Sequence, residues 1–525
     1  MTRWFFVAIA LACTGCPSTT VVCNAGLSPC GTGCADFTSD RLNCGACNLT
    51  CQQSEVCVAG QCQCQAGALA CRGQCVLPQT DPAHCGGCLG DGGVACPSSQ
   101  VCEQGQCKNA CVLGTSQLCG QSCTDTSLDP NNCGACGVVC AAGLSCHGGH
   151  CTWDVIAACS TAGEIVGVTA STQNPGPLTP LGSQPFALSS LDGVLLSADQ
   201  TDLVLYEANL TTFARLPEAT AVGHAANQVL VDGQTLYVVN STDNTLQILR
   251  ADAGADAGGT LGLATVGELN FGPQASPEWS AKVGNTLFVT LYGGFGAAAD
   301  AGQKVAVVDV TTPTAPALQT LIDLSGLNLS AFDGGVALAR PQTVLVHNGQ
   351  LYAVLNNLDG NYAPAGPGLL AKIDPSTHAV SLVGLGGGCL DPLNMVDDAA
   401  HLYVACSGHT TYDASFNVIA NDHSGVVMLS APSGGPETVL SMWSTQCPSP
   451  APADGGCQVP VPSTLALSGT RLFVGDSNGG RVFTVDVVGN QLVENRGYGD
   501  GGSPLNLCPP VPNLGFTNVG SLFAP

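Results

Sequence analysis

The stretch Gln228-Val229-Leu230-Val231-Asp232-Gly233-Gln234-Thr235-Leu236-Tyr237-Val238-Val239-Asn240, followed after a polar turn by Thr245-Leu246-Gln247-Ile248-Leu249, decides the fold. Two runs of aliphatic, β-branched and aromatic residues flank Asp-Gly. That dipeptide tolerates the positive φ of a tight hairpin turn, so the stretch predicts strands and not a helix. The run from Thr245 to Leu249 adds a further strand to the meander.

The unit returns along the chain. Its second strand reappears at 193–196, 286–289, 350–354, 401–404 and 471–474, and the following strand at 203–206, 305–308, 369–373, 425–429 and 481–485. Six hairpins thus recur at about 40 to 70 residues, the spacing of propeller blades with loop insertions. A single four-stranded blade cannot bury both faces, whereas a ring of blades can. The remaining ends, 160–184 and 505–525, are expected to combine into one closing blade. The fold class is therefore mainly β: three small disulfide-rich modules followed by a β-propeller, with seven blades favoured and six, the ends forming a strap, as the alternative. Ala-Gly-Asp inserts at 253–258 and 298–302 read as loops.

The pair Leu236-Tyr237-Val238-Val239-Asn240 with Leu246-Gln247-Ile248-Leu249, and its partner Leu472-Phe473-Val474-Gly475-Asp476 with Val482-Phe483-Thr484-Val485, resembles the YVTN/NHL-type β-propellers. The resemblance extends over most of residues 185–495 and implies a disc of blades around a central channel.

The front of the chain is built differently. Of 32 cysteines, 24 fall into three copies of one eight-cysteine pattern. These are Cys23, Cys30, Cys34, Cys44, Cys47, Cys51, Cys57 and Cys62; Cys64, Cys71, Cys75, Cys85, Cys88, Cys96, Cys102 and Cys107; and Cys111, Cys119, Cys123, Cys133, Cys136, Cys140, Cys146 and Cys151. Such regular spacing after an export signal predicts disulfide-stapled modules in an oxidising compartment. Modules this small cannot bury enough apolar surface to fold on that alone. Eight cysteines allow 105 pairings, so the connectivity stays open. The Cys44/Cys47, Cys85/Cys88 and Cys133/Cys136 pairs also fit zinc or thiol-redox chemistry by spacing. Disulfides are the expectation. Asp40, Asp81 and Asp129, each ahead of one of these pairs, are expected to form Asx turns in preference to calcium sites.

The core Asp129-Pro130-Asn131-Asn132-Cys133-Gly134-Ala135-Cys136 and its counterparts around Cys44 and Cys85 resemble the stigma-specific protein repeat. That resemblance covers about a quarter of the chain and implies extracellular, non-catalytic modules. Outside the repeats, Cys159 with Cys508 is expected to close the ring, Cys389 with Cys406 to link adjacent strands of one blade, and Cys447 with Cys457 to pin a Pro-rich loop.

Residues 1–16 carry one arginine, an apolar run from Trp4 to Ala12, and Cys13-Thr14-Gly15-Cys16. This is the pattern of a secretory signal, too short to remain as a membrane span. Small residues ahead of a cysteine resemble the bacterial lipobox, which implies lipidation at Cys16, with Cys13 as the alternative. Pro17 lacks the acidic residue that the resemblance associates with inner-membrane retention, so outer-membrane or surface placement is expected. The domain plan is 1–16 signal, modules at 17–62, 63–107 and 108–151, and the propeller at 157–525.

Charge limits the partners. With 13 basic and 38 acidic residues the net charge is -25, which argues against nucleic acid and against polybasic lipid binding. No Walker loop, HExxH or Rossmann glycine set is present. Gly475-Asp476-Ser477-Asn478-Gly479 matches the nucleophile-elbow spacing, but a strand follows where that motif needs a helix. His409, Asp413, Asn421, Asp422 and His423 concentrate polar groups in one loop, which reads as hydrated ahead of metal-binding. Asp199, Asn240, Asn356 and Asp476, after the second strands, are the candidate ligand-face residues. No cofactor and no metal are expected. The function expected is an exported, lipid-anchored envelope protein that binds a surface ligand, glycan or protein, without catalysis. The alternative is a calcium-dependent propeller hydrolase of the gluconolactonase type.

Overall fold

The computed structural model describes residues 28–525 apart from short breaks in the cysteine-rich part and 170–174, 253–258, 294–301, 328, 330–335, 413–417, 445–459, 495–503 and 511–517. Cys13, Cys16, Cys23, Asp40, Asp413, Cys447, Cys457 and the two Ala-Gly-Asp inserts up to residue 301 lie outside the described residues, as does the side chain of Cys34. Among the described residues the structure is β throughout, save a 3-10 turn at Ser160–Ala162. The chain divides into two compact units, 1–112 with 120–123, and 113–119 with 124–525.

The disulfides of the modules follow one rule. In the second module they are Cys64–Cys75, Cys71–Cys88, Cys85–Cys102 and Cys96–Cys107. The third repeats the pattern with Cys111–Cys123, Cys119–Cys136, Cys133–Cys146 and Cys140–Cys151. The first shows the three counterparts that are described, Cys30–Cys47, Cys44–Cys57 and Cys51–Cys62. The two cysteines of each CxxC therefore bond to different partners. Each module also closes with a hairpin whose cysteines face each other across the ladder, as Cys57 with Cys62 and Cys102 with Cys107, yet bond elsewhere. The glycine of each Cys-Gly-x-Cys core has positive φ. A Cβ at Gly45 would press on Gly60 O and one at Gly134 on Gly149 O, so two backbone segments meet there with no room for a side chain. Asp81 and Asp129 accept from the amides of Ala83 and Asn131, both at 2.8 Å, in Asx turns.

The large region is a seven-bladed propeller. Six blades are consecutive four-stranded antiparallel meanders, at 185–221, 226–270, 277–323, 341–384, 392–444 and 462–494, here blades 2 to 7. Blade 6 carries an extra hairpin between its second and third strands, His409–Tyr412 with Val418–Asp422. Blade 1 is shared between the chain ends: Ser521–Phe523 is its innermost strand, followed outward by Val155–Cys159, Glu164–Val168 and Thr179–Pro180. The blade thus begins at Val155, slightly ahead of the boundary expected from composition. Leu505–Asn506 pairs instead with the third strand of blade 7. The Cys159–Cys508 disulfide joins blade 1 to the segment just after that strand and locks the ring.

Turn chemistry sets the register. Asp192-Gly193 and Asn348-Gly349 take positive φ at both central positions, the turn type whose twist suits a hairpin. Each interface between neighbouring blades holds its own apolar cluster. Leu236, Val238 and Leu249 pack with Leu196 and Leu205 between blades 2 and 3, and Phe473 and Val482 pack with Val155 and Val166 between blades 7 and 1. Nearest the axis, side chains link one innermost strand to the next. Gln228 Oε1 accepts from Ser280 N (2.6 Å), Thr343 Oγ1 donates to Leu393 O (2.9 Å), and Thr464 Oγ1 accepts from Leu522 N (3.1 Å). These bonds satisfy strand edges that no fifth strand covers.

The end of the third module belongs to the same compact unit as the propeller. Trp153 Nε1 donates to Thr211 O (3.2 Å), Thr152 Oγ1 donates to Leu210 O (3.3 Å), and Thr211 Oγ1 donates to Cys151 O. The indole stacks on Phe213 and lies over Gly167 and Gly176, where any side chain would collide with it.

Candidate functional site

Five innermost strands begin with proline: Pro185, Pro277, Pro341, Pro392 and Pro462. Proline lacks the N–H that an edge position would leave unpaired, so it suits the first residue of such a strand. The same end of each blade carries the loops from second to third strand. These are tight turns at 200–203, 241–244 and 477–480 in blades 2, 3 and 7, but long loops at 292–303, 356–368 and 407–424 in blades 4, 5 and 6. Elaboration is thus concentrated on one side of one face. The central cavity, about 470 Å³, is lined by all seven innermost strands, with Asn227, Gln228 and Thr464 among its polar walls and Leu230, Trp279 and Phe523 among its apolar ones.

The four candidate ligand-face residues do sit at this face, at the ends of second strands, but all are buried. Asp199 accepts from the amides of Gln184 (2.6 Å), Thr201 (3.0 Å) and Asp202 (2.8 Å). Asp476 accepts from Val461 N and Asn478 N, both at 2.9 Å, and from Arg481 Nε at 2.8 Å. Asn240 accepts from Gly223 N (3.1 Å) and donates to Thr245 Oγ1 (3.2 Å). These three tie the tight turn of a blade to the start of its innermost strand. Asn356 differs: Nδ2 donates to Asp391, and its buried Oδ1 has no partner among the described residues.

Beside Asn356 lies a polar constellation that the sequence did not reveal. Glu278, next to Pro277, accepts at Oε1 from Ser241 Oγ (2.8 Å) and Ser276 Oγ (3.2 Å), and at Oε2 from Asn227 Nδ2 (2.5 Å). Protein surrounds it on nearly every side while part of it stays open to solvent, and the desolvation pushes its pKa up to about 7. Asp391, ahead of Pro392, accepts from Asn356 and from Ser407 Oγ (2.7 Å), and burial raises its pKa also. Arg340, ahead of Pro341, is 4% exposed; its Nη1 donates to Tyr292 O (3.1 Å) and Gly293 O (2.7 Å). Its guanidinium lies 5.1 Å from the Tyr292 ring centre and 4.7 Å from that of Tyr362, and the two rings stack at 6.4 Å. Burial raises the Tyr292 hydroxyl, with Asp391 adding to the effect. Ser276, Arg340 and Asp391 all take positive φ (46°, 48° and 44°) directly before proline. Non-glycine residues in that region carry strain that tends to persist at functional positions. The signal that would have found them is the repeated x-Pro at the start of each innermost strand.

The other motifs resolve simply. Ser477 Oγ donates to Val461 O (3.2 Å) from a turn that leads into a strand, not a helix. His409 and His423 flank the exposed Asp422 at 3.8 and 3.2 Å, while Asn421 donates to Ser407 O (2.7 Å) and Pro460 O (2.8 Å). Groups of acidic, His and Cys side chains at metal-ligand distance among the described residues are three cysteine triads, one per module. Each triad consists of sulfurs from two adjacent disulfides, so no thiolate is left to bind an ion. Cys389 bonds to Cys406, but Cys389 precedes the innermost strand of blade 6, so the bond joins a loop to the second strand and does not link two strands.

No protein family matches the chain, and no curated protein matches it in sequence. Similar solved structures include a protein from Lactobacillus plantarum (13% identity, TM-score 0.48, 70% of this chain and 98% of that one). They also include a candidate 6-phosphogluconolactonase from Bacteroides uniformis (11%, 0.45, 67% and 97%) and apo AztD from Citrobacter koseri (13%, 0.42, 67% and 95%). None of the three is similar enough for its function to be transferred.

Proposed function

We propose that this chain is an exported protein of the cell envelope, anchored by lipid at Cys16 or, alternatively, Cys13. In this reading the disulfide modules are a spacer and the propeller is a binding module, with its ligand at the face that carries the long loops. The observation that carries the proposal is that every cysteine whose side chain is described is disulfide-bonded. A chain so dense in disulfides matures outside the reducing cytosol. The test is intact mass spectrometry, without reduction, of native protein from the envelope fraction. The expected mass is that of a chain beginning at Cys16, increased by its acyl groups and lowered by complete pairing of the other cysteines. Free thiols, bound zinc, or an uncleaved chain in the cytosol would reject it.

The enzymatic alternative draws on one observation, that Glu278 titrates near neutrality at the channel mouth, as a general base does. Turnover of a lactone panel in calcium, lost in Glu278→Gln, would establish that reading; no turnover leaves the binding module.

A further inference from the structure

Arg340 presents an unusual charge. It is almost wholly buried, yet it forms no ion pair among the described residues. Glu278 and Asp391 are each held by neutral donors instead. A buried guanidinium without a counter-charge is costly, and carbonyl oxygens and aromatic faces offset only part of that cost.

The way Arg340 is held points to what completes it. Nη1 is occupied by the carbonyls of Tyr292 and Gly293. Nε is buried and without a partner among the described residues, and Nη2 makes no hydrogen bond to them either. The edge left over, Nε–H with Nη2–H, is the planar fork that accepts a carboxylate through two parallel hydrogen bonds. Room for the guanidinium is built in. Gly293 takes φ 87°, and a Cβ there would lie 3.0 Å from Nη1 and 2.9 Å from Gly302. Asn356, whose backbone amide donates to Arg340 O (3.3 Å), adds a second buried atom without a partner, the acceptor Oδ1. The guanidinium that carries this fork lies against the stacked rings of Tyr292 and Tyr362, and the free acceptor belongs to the residue whose amide bonds Arg340 O.

We propose that the Nε/Nη2 edge of Arg340 binds the carboxylate of a small ligand, and that Asn356 Oδ1 accepts from a hydroxyl of the same molecule. The ligand class is a small hydroxy-carboxylate, with the tyrosine rings as its apolar wall. The proposal deepens the binding-module reading and is independent of export and lipidation. An acidic sugar carries both groups; a peptide C-terminus carries the carboxylate without the hydroxyl and serves as the contrast.

The test is calorimetric titration of the full chain with glucuronate and with N-acetylglycine, each against its neutral amide. Saturable binding of a carboxylate is expected, with the amide weaker by about ten-fold or more. Glucuronate is expected to be the tighter of the two, because N-acetylglycine offers Asn356 no hydroxyl. Arg340→Lys keeps the charge but not the fork, and is expected to bind about 10- to 100-fold more weakly. Asn356→Leu is expected to narrow the preference for glucuronate. A thermal melt of each variant confirms folding. Equal binding of acid and amide, unchanged affinity in a folded Arg340→Lys, or no binding of either acid would overturn the proposal. Amide binding with no preference for the acid would do so while leaving the propeller a binder. Asp300 falls in sequence between Gly293 and Gly302. Binding only after Asp300→Asn would assign the counter-charge to the chain itself, and would overturn the proposal too.

Discussion

Residues 44–62 and the blade at 226–270 reach the folded state by opposite means. The buried apolar cluster of the first consists of Cys44, Cys51 and Cys57, with Cys62 packed beside them. The blade buries Leu236, Val238 and Leu249 against the preceding blade, and Tyr237, Val239, Leu246 and Ile248 against the next. The module has sulfur where the blade has hydrocarbon. A segment too short to remove much apolar surface from water must lower the entropy of its unfolded chain instead, and cross-links do that. A ring of seven blades buries both faces of nearly every sheet and draws most of its stability from that burial. Its one covalent bond between chain ends serves closure.

The largest expected effect lies at that closure. Cys159–Cys508 spans 349 residues, and the loop-entropy relation puts its contribution at about 6 kcal/mol. Replacing both cysteines with serine is expected to lower the urea midpoint of the propeller strongly while leaving the modules folded. A change under about 1 kcal/mol would mean that the three-residue pairing of Leu522 and its neighbours closes the ring unaided. The next effect is a cavity. Phe473 is fully buried between blades 7 and 1, and Phe473→Ala is expected to cost about 4 kcal/mol. Chemical denaturation of the propeller would record this, with the modules unaffected.

A smaller loss is expected within one module. Cys85–Cys102 closes 17 residues, a contribution of about 3 kcal/mol. The double alanine variant is expected to become protease-sensitive within 64–107 while the propeller melts unchanged. Coordinated loss of both would contradict independent means of stabilisation.

The smallest effect is a pH dependence. Glu278 has its ordinary value in the unfolded chain and about 7 in the fold. Between those values the native state binds a proton that the unfolded state releases, so this group's contribution to stability falls as pH rises through that window. Glu278→Gln removes the penalty. Its stability relative to the parent is expected to be unchanged below pH 4 and to rise by about 2 to 3 kcal/mol by pH 8. A difference independent of pH would show that the carboxyl keeps its ordinary value.

Much of the architecture was legible. The six hairpins stand out because each second strand is flanked by turn residues such as Asp192-Gly193 or Asn348-Gly349 and is almost wholly apolar. Blade 1 showed less, since its innermost strand is only Ser521–Phe523 and carries no period of its own. The disulfide map was unreadable from spacing because the cysteines that face each other, such as Cys57 and Cys62, bond to others. The channel mouth was hardest. Asp199, Asn240 and Asp476 were found by their place after the second strand, yet that place marks a backbone tie. Glu278, Arg340 and Asp391 lie in three different blades, and only closure of the ring brings them to one face.

Hydrogen exchange with mass-spectrometric readout, before and after mild reduction of the native chain, tests the division between sulfur and hydrocarbon most directly. The account predicts that amides within 44–107 lose protection on reduction while those of 235–250 and 286–291, strands without a cysteine, keep theirs. Protection that survives reduction in the modules, or falls equally in the blades, would contradict it.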